Sequence, residues 1–387
     1  MIGHIRPLAV LARELERRGH RATFVHHKSS APAFERSGAR FAGIEGGALG
    51  RHGGVRATVR EMARQTDLLC RRAPLLLRDL GIDAVVSDQL EPAGGLVAER
   101  LGLPFATIAC ALPVDREPGV PPPYVGWRFD PSPKGRAWNA GGWRVTDLLM
   151  RPLGAVIQGY CEAWGLPPRA RLEDCFSPRL ELAQAVASID FPREALPPHF
   201  HYLGPFREPE PERIDLPAEG RLVYCSLGTT SRSGGARLFR AVAGACAELG
   251  ATLVLAHCGR LSRREIEALP GAPLVHDFVP QEDVLRRADA VVTNCGFNTV
   301  LDSLAAGLPM VAMPLAFEQP AIAARIDYAG VGRIVRPRPP LRRRLRSALE
   351  TVLDSPDLKR RAQSVRGEIR EAGGVRRAAD LIEGALG

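Results

Sequence analysis

Residues 291–302 read Val291-Val292-Thr293-Asn294-Cys295-Gly296-Phe297-Asn298-Thr299-Val300-Leu301-Asp302. An apolar run, a glycine and a helical pattern in this order predict a strand, a turn and a helix, the repeating unit of an α/β protein. Gly296 would let the backbone approach a ligand, and Asn298 and Thr299 would lie at the helix N-terminus, which favours a diphosphate. The alternative for Asn298 and Thr299 is ordinary N-capping. Asp302 follows one helical turn later, where a carboxylate can accept hydrogen bonds from ribose hydroxyls.

Two further stretches show the same order of strand and polar turn. Residues 222–231 are an apolar run that ends in glycine, serine and threonine, whose hydroxyl and N–H groups suit phosphate oxygens. Residues 314–320 place two polar side chains after another predicted strand, at the carboxyl edge of a sheet where α/β proteins bind ligands. Three such turns that converge on one crevice indicate a ligand-binding site far more specifically than any one of them does. The residues singled out in these two turns are Ser226, Gly228, Thr229, Glu318 and Gln319.

Strands and helices alternate along the whole chain, which predicts two doubly wound α/β domains. Residues 205–219, rich in proline and glutamate and without periodicity, are the predicted linker. The N-terminal domain would span residues 1–204 and the C-terminal domain residues 220–387, with the last helix packing back on the N-terminal domain. Predicted strands lie at 21–26, 83–87, 103–109, 222–226, 252–257, 274–278, 290–293 and 310–313, and the last two helices at 340–353 and 358–386.

Two parts of the chain depart from this pattern. A doubly wound domain opens with a buried strand, but here a helical pattern begins almost at His4. Either the given chain lacks roughly its natural first dozen residues, or the sheet lacks an edge or central strand. Residues 113–152 are rich in proline and tryptophan and have no periodicity, which predicts either surface loops or a wall of an apolar acceptor pocket.

The composition excludes several classes of protein. With 387 residues, of which 45% are hydrophobic and 25% charged, the chain is neither disordered nor fibrous. The net charge is +9, but the arginines are scattered among acidic residues, which argues against a nucleic-acid partner. The sequence contains no apolar run long enough to span a membrane and no signal-peptide pattern. The eight cysteines are dispersed without metal-type spacing, which predicts reduced thiols in a cytoplasmic protein, with neither disulfides nor a structural metal.

The turn residues are part of a longer signature. Phe278-Val279-Pro280-Gln281 precedes them, and the spacing from Asn294 to Gln319 fits without a gap. This signature resembles that of the UDP-dependent glycosyltransferases of the GT-B fold, which bind a sugar nucleotide. Within that superfamily the chain is most similar to the bacterial zeaxanthin (carotenoid) glucosyltransferases. That similarity rests on Ala111-Leu112-Pro113, Arg116-Glu117-Pro118, Cys175-Phe176-Ser177-Pro178, Asp190-Phe191-Pro192-Arg193, Ala195-Leu196-Pro197 and Leu255-Ala256-His257-Cys258-Gly259.

The resemblance implies two Rossmann-like domains that face a central cleft. His4 would be the base that takes the proton of the acceptor hydroxyl, and Asp88 would orient its imidazole, which leaves the other ring nitrogen basic near physiological pH. The donor would be held without a metal or other cofactor, because helix N-terminal amides and hydroxyls stabilise the charge on the leaving diphosphate. The implied donor contacts are Phe278 and Val279 to uracil, Gln281 and Asp302 to ribose, Ser226, Gly228, Thr229, Asn294, Gly296, Asn298 and Thr299 to the phosphates, and Glu318 and Gln319 to glucose.

Two signature positions differ from the family pattern. Asn294 stands where the pattern usually has histidine, so we expect weaker donor binding, because asparagine donates a hydrogen bond without a cation's charge. Phe278 replaces a tryptophan that is common in plant relatives, which reduces the area for stacking.

The expected reaction is a metal-independent, inverting transfer of glucose from UDP-glucose to a hydroxyl of a carotenoid such as zeaxanthin, which forms a β-glucoside. Such an acceptor resides in membranes. The basic net charge and the apolar stretch at residues 113–152 therefore predict peripheral attachment to the cytoplasmic membrane face. Two alternatives stay open. One is a glycosyltransferase for a polyketide, macrolide or lipid aglycone, and the other is a non-catalytic auxiliary protein that binds a sugar nucleotide.

Overall fold

The computed structural model of the chain describes residues 2–35, 37–46, 54–208, 213–228 and 235–387. Thr229, one of the expected phosphate contacts, lies outside these residues. In the N-terminal half the helices are α1 (Ile2–Arg17), α2 (Ala31–Glu35), α3 (Val55–Asp79), α4 (Ala93–Leu101) and α5 (Pro133–Trp164). The strands of this half are β1 (Phe24–His27), β2 (Phe41–Ile44), β3 (Val85–Asp88), β4 (Phe105–Ala109), β5 (Glu181–Ala183) and β6 (Phe200–Tyr202).

The strands of the N-terminal half form two parallel sheets. β1 pairs with β2, and β3, β4, β5 and β6 pair in that order. Within the described part of the chain no strand joins β1 to β3, which agrees with the prediction that this domain lacks its opening strand. The sheet therefore delivers Asp88 at the carboxyl end of β3, while His4 comes from a helix.

The prediction of an irregular stretch over residues 113–152 is wrong in its second half. Helix α5 begins at Pro133, where a missing N–H costs no hydrogen bond, and the hydroxyl of Ser132 accepts from the N–H of Gly135 at 3.1 Å. Gly142 lets the ring of Trp127 pack on the helix, since a Cβ there would lie 2.8 Å from that ring. The glycine and proline residues that obscured the helical pattern thus fit the packing of this helix.

The C-terminal half is a doubly wound domain. Its strands are β7 (Leu222–Ser226), β8 (Thr252–Ala256), β9 (Leu274–His276), β10 (Ala290–Thr293), β11 (Met310–Ala312) and β12 (Gly332–Ile334). Its helices are α6 (Gly235–Glu248), α7 (Arg263–Glu267), α8 (Gln281–Arg287), α9 (Phe297–Ala305), α10 (Gln319–Tyr328), α11 (Leu341–Asp354), α12 (Pro356–Glu371) and α13 (Gly374–Leu386). The parallel order β12-β11-β10-β7-β8-β9 puts the topological switch between β7 and β10, where such sheets bind ligands.

The predicted helix over residues 358–386 is two helices, because the chain turns at Gly373 with φ +86°. The second of them, α13, packs on α1 in the N-terminal half, where Ala378 and Ile382 share one apolar cluster with Leu11 and Ile108. The C-terminal helix therefore ties the end of the chain to the helix that carries His4.

Candidate active site

His4, in the first turn of α1, and Asp88, at the end of β3, form a hydrogen-bonded pair. The Nδ1 atom of His4 lies 2.7 Å from Oδ2 of Asp88, and the N–H of Leu90 donates to Oδ1 at 2.8 Å. Both carboxylate oxygens are thus engaged, which fixes the orientation of the imidazole. The His4 side chain is 30% exposed, and its Nε2 forms no hydrogen bond with a described residue, so this atom is open to a substrate.

The electrostatics of the pair suit a general base. Burial by itself would lower the pKa of His4, but the charge and the hydrogen bond of Asp88 outweigh it, so the pKa is raised above 6.5. Burial would raise the pKa of Asp88, but His4 and the Leu90 N–H outweigh it and the pKa is lowered. The carboxylate therefore stays charged, holds the proton on Nδ1, and leaves Nε2 to accept a proton once the imidazole is neutral.

Cys110 completes this cluster. Burial, together with the neighbouring charge of Asp88, raises the pKa of the Cys110 thiol well above its usual value, so the protonated thiol donates to Asp88. The ligand atoms of His4, Asp88 and Cys110 lie within 4.8 Å of one another, a grouping that a metal ion could use. Because the thiol keeps its proton and both oxygens of Asp88 already accept hydrogen bonds, a hydrogen-bonded chain accounts for the cluster.

The turn of α1 that carries His4 is held by the C-terminal half. Pro7 lies inside the helix and has no N–H, so the carbonyl of Gly3 lacks its usual helical partner. The side-chain Nδ2 of Asn298 donates to that carbonyl at 2.6 Å. Asn298, expected at a phosphate, therefore positions the backbone beside His4, the expected base.

The N-terminus of α9 lies at the switch point of the sheet. Its N-cap is Gly296, which offers no side chain, so the interpretation of Asn298 and Thr299 as capping residues is wrong. The hydroxyl of Thr299 donates instead to Oε1 of Gln281 at 3.4 Å. Cys295 makes the turn from β10 with φ +67°, an unusual conformation for a residue with a Cβ. The first-turn N–H groups of α9 receive no side-chain cap and suit an anion.

The turn after β7 faces the turn after β10. Ser226 pairs in register with Thr293, so the following residues emerge side by side from the sheet. Gly228 has φ +65°, and a Cβ there would lie 2.8 Å from Nδ2 of Asn294, so this position requires glycine. Asn294 is buried behind this turn.

The expected ribose residues contact one another. Nε2 of Gln281 donates to Oδ2 of Asp302 at 2.5 Å, and Oε1 of Gln281 accepts from the hydroxyl of Tyr224 at 3.2 Å.

The two expected uracil residues lie before α8. Phe278 is 73% exposed in the loop before this helix, which leaves its ring free to stack on a base. Val279 packs on the core beneath that loop.

The two expected glucose residues are placed differently. Oε1 of Gln319 accepts from the N–H groups of Leu315 and Ala316 at 2.8 and 2.9 Å, so the structure uses this oxygen to hold the turn and leaves only Nε2 for a hydroxyl. Glu318 is half-buried, and its charge helps to raise the pKa of His4. The charge of Glu318, an expected sugar contact, therefore reaches the imidazole of His4, the expected base.

Residues 167–366 match a family model described as UDP-glucoronosyl and UDP-glucosyl transferase. A zeaxanthin glucosyltransferase of Pseudescherichia vulneris is 38% identical over 100% of this chain and 96% of that protein, and one of Pantoea ananas is 39% identical over 98% and 93%. The chain belongs to this UDP-glycosyltransferase family. The crystal structure of the glycotransferase of kitacinnamycin is 25% identical, with a TM-score of 0.80 over 100% of this chain and 97% of that chain. The two-domain GT-B architecture is therefore confirmed, and the protein is a glycosyltransferase with a sugar-nucleotide donor and an acceptor.

Arg207, which the sequence did not indicate, contacts two of the expected donor residues. It comes from the predicted linker, yet its Nε pairs with Oδ1 of Asp302 and its Nη2 donates to Oδ1 of Asn298 at 3.0 Å. On the N-terminal side its Nη1 donates to Oε1 of the buried Gln184 at 3.3 Å. A linker arginine carries no motif, so only the fold shows that it lies between the two halves.

Arg260 is a second cation that the sequence did not indicate. Its Nη1 donates to the carbonyls of Leu227 and Gly228 at 3.0 and 2.7 Å. Its Nε and Nη2 atoms are buried and have no partner among the described residues. Arg207 thus places positive charge beside Asn298 and Arg260 beside Gly228, two of the expected phosphate contacts, although Asn294 is neutral.

We expect Arg207→Ala to raise the KM for the sugar-nucleotide donor about 10-fold, since a charge-assisted hydrogen-bond partner is lost and Asp302 keeps its hydrogen bond from Gln281 but loses its cation beside an anionic ligand. Arg207→Lys keeps the charge and should give a smaller increase. Initial rates at varied donor concentration measure this effect. An unchanged or lower KM in Arg207→Ala would show that the guanidinium competes with the donor for Asp302.

Proposed function

We propose that this glycosyltransferase transfers glucose from UDP-glucose to a hydroxyl of a carotenoid such as zeaxanthin and forms a β-glucoside. The observation that supports the reaction is the His4–Asp88 pair, in which Asp88 holds Nδ1 of the imidazole at 2.7 Å and Nε2 forms no hydrogen bond with a described residue. The choice of acceptor and sugar rests on the two relatives, which are similar over nearly the whole chain and are zeaxanthin glucosyltransferases.

The chemistry follows from this placement. Nε2 of His4 takes the proton of the acceptor hydroxyl while the oxygen attacks the anomeric carbon from the face opposite UDP, so the configuration inverts. The bond to UDP breaks, and the diphosphate leaves with the electron pair. The uncapped N–H groups of α9, with Arg207 and Arg260 nearby, stabilise that charge, so the proposed reaction needs neither a metal ion nor another cofactor.

The acceptor proposed here is dissolved in a bilayer, so the enzyme must reach the membrane surface. Among the helices that the structure describes, none has both the length and the apolar composition that a membrane-spanning segment needs. We therefore propose peripheral contact from the cytoplasmic side, driven by the net charge of +9 and by exposed apolar residues, with no nucleic-acid partner.

The proposed reaction can be tested by mass spectrometry. The purified chain is incubated with UDP-glucose and detergent-dispersed zeaxanthin, and a carotenoid whose mass has increased by one hexose is the expected product. A parallel reaction with UDP-galactose tests the sugar, and the anomeric proton coupling of the product tests inversion. Glycosylation of a macrolide or polyketide aglycone in place of zeaxanthin would contradict the acceptor assignment but would agree with the protein's being a glycosyltransferase.

A further inference from the structure

The side of α5 that faces away from the protein is apolar. Trp138, Val145 and Leu148 are 63%, 57% and 56% exposed. Their spacing places them on one side of the helix, opposite the buried residues Asn139 and Trp143. We call these three exposed residues the α5 stripe. Three large apolar side chains in solvent along one helix need a partner surface.

The charged residues beside the α5 stripe are basic. Lys134, Arg144 and Arg151 are exposed. Asp147, the one acidic residue of α5 before its last turn, is paired with Arg116 at 2.7 Å. Neither Arg144 nor Arg151 has an acidic partner within the described ranges. An apolar stripe flanked by basic side chains is complementary to anionic lipid headgroups that lie above an apolar acyl region.

We propose that the α5 stripe docks the glycosyltransferase on an anionic membrane surface, with Trp138 at the depth of the headgroups and Arg144 and Arg151 on lipid phosphates. This inference rests on the proposed membrane contact and names the surface that makes it.

One loop connects the α5 stripe to the donor edge. The ring of Trp127 packs edge-on against Trp138 with 6.0 Å between ring centroids. Its neighbour Gly126 lies so close to Pro320 that a Cβ would be 3.0 Å from that residue. Pro320 follows Glu318 in the first turn of α10. A bilayer at the α5 stripe is therefore one loop away from the first turn of α10, which Glu318 precedes.

Co-sedimentation with vesicles tests this surface. The full chain is mixed with vesicles of phosphatidylcholine that contain phosphatidylglycerol, and with vesicles of phosphatidylcholine alone, at low and high salt. We expect binding to the anionic vesicles at low salt and its loss at high salt. Trp138→Ser/Val145→Ser/Leu148→Ser should bind at least about 10-fold more weakly. Arg144→Glu/Arg151→Glu should bind at least about 25-fold more weakly, since each lost basic residue near such a surface contributes about fivefold and each added carboxylate is repelled by it.

Two variants serve as matched controls. Arg343→Glu changes an exposed arginine of α11 in the other half and should bind like the unaltered chain. Trp138→Phe keeps an aromatic ring and should retain most of the binding. No substrate is present, so this measurement is separate from the proposed reaction. The proposal is overturned if the triple serine variant and the double glutamate variant both bind like the unaltered chain. It is also overturned if the chain does not bind anionic vesicles and instead forms a dimer that Trp138→Ser dissociates.

Discussion

His4→Ala is expected to lower the kcat of glycosyl transfer by about 10²- to 10⁴-fold, because the reaction loses the group that takes the acceptor proton. The expected donor contacts come from the C-terminal half, where Asn298 donates to the backbone carbonyl of Gly3 and not to the His4 side chain, so the KM for the donor should change little. Steady-state rates with the sugar-nucleotide donor and a hydroxylated acceptor measure both parameters. His20→Ala, which removes an exposed histidine paired with Glu383, is the matched control and should retain full activity.

The pH dependence separates the base from its partner. Only the neutral imidazole accepts a proton, so in the unaltered enzyme the rate should rise with pH through the pKa of His4, which Asp88 raises above 6.5. Asp88→Asn removes that charge while burial still lowers the pKa, so the acid limb should move to lower pH. The plateau should also fall, because an amide no longer holds the proton on Nδ1. An acid limb that stays in place in Asp88→Asn would exclude His4 as the titrating base.

Arg325→Ala is expected to lower the free energy of unfolding by about 3 kcal/mol, which is large for one substitution. Arg325 is buried on α10 of the C-terminal half, and its Nε donates at 2.6 Å to Oδ1 of Asp190 from the N-terminal half. Asp190 also accepts from Arg193 at 2.8 Å, so the loss should lie at the lower end of the range for a broken buried pair. The Arg325 guanidinium covers the ring of Phe191, and alanine also removes this contact.

Urea unfolding followed by tryptophan fluorescence measures the loss in the free energy of unfolding. The pH dependence of that free energy identifies the Arg325–Asp190 pair as its source. Burial raises the pKa of Asp190, but Arg325 and Arg193 outweigh it and lower the pKa to about 2. The stabilisation is therefore present above about pH 4 and is lost as the pH falls through about 2. In Arg325→Ala the loss should begin at higher pH. Arg343→Ala, on the surface, is the control, and a change below about 0.5 kcal/mol in Arg325→Ala would contradict a stabilising pair.

The elements that the sequence predicted well are those with a strong local pattern. β7 and β10 have the predicted bounds, since each is a continuous apolar run in the middle of a parallel sheet and ends at a polar turn. Strands β2, β5, β6 and β12 escaped prediction, since three or four residues are too few for a periodicity; β9 and β11 are as short and were predicted, but one or two residues too long. Helix α5 was obscured in part by glycine and proline, which local propensity counts against a helix but which tertiary packing accommodates.

The sequence by itself determined the order of the turns that form the donor edge, because each of these residues follows its own strand within a few positions. Only the tertiary structure brought together Gly3 with Asn298, His4 with Asp88, and Arg207 with Asp302. Those contacts join residues that are 84 to 295 positions apart in the chain, and no local sequence pattern predicts the distance or direction between such residues. The physical reason is that the polypeptide's short-range preferences set strands, turns and helices, whereas hydrogen bonds between residues far apart in the chain exist only once the sheets and the helices between them are packed.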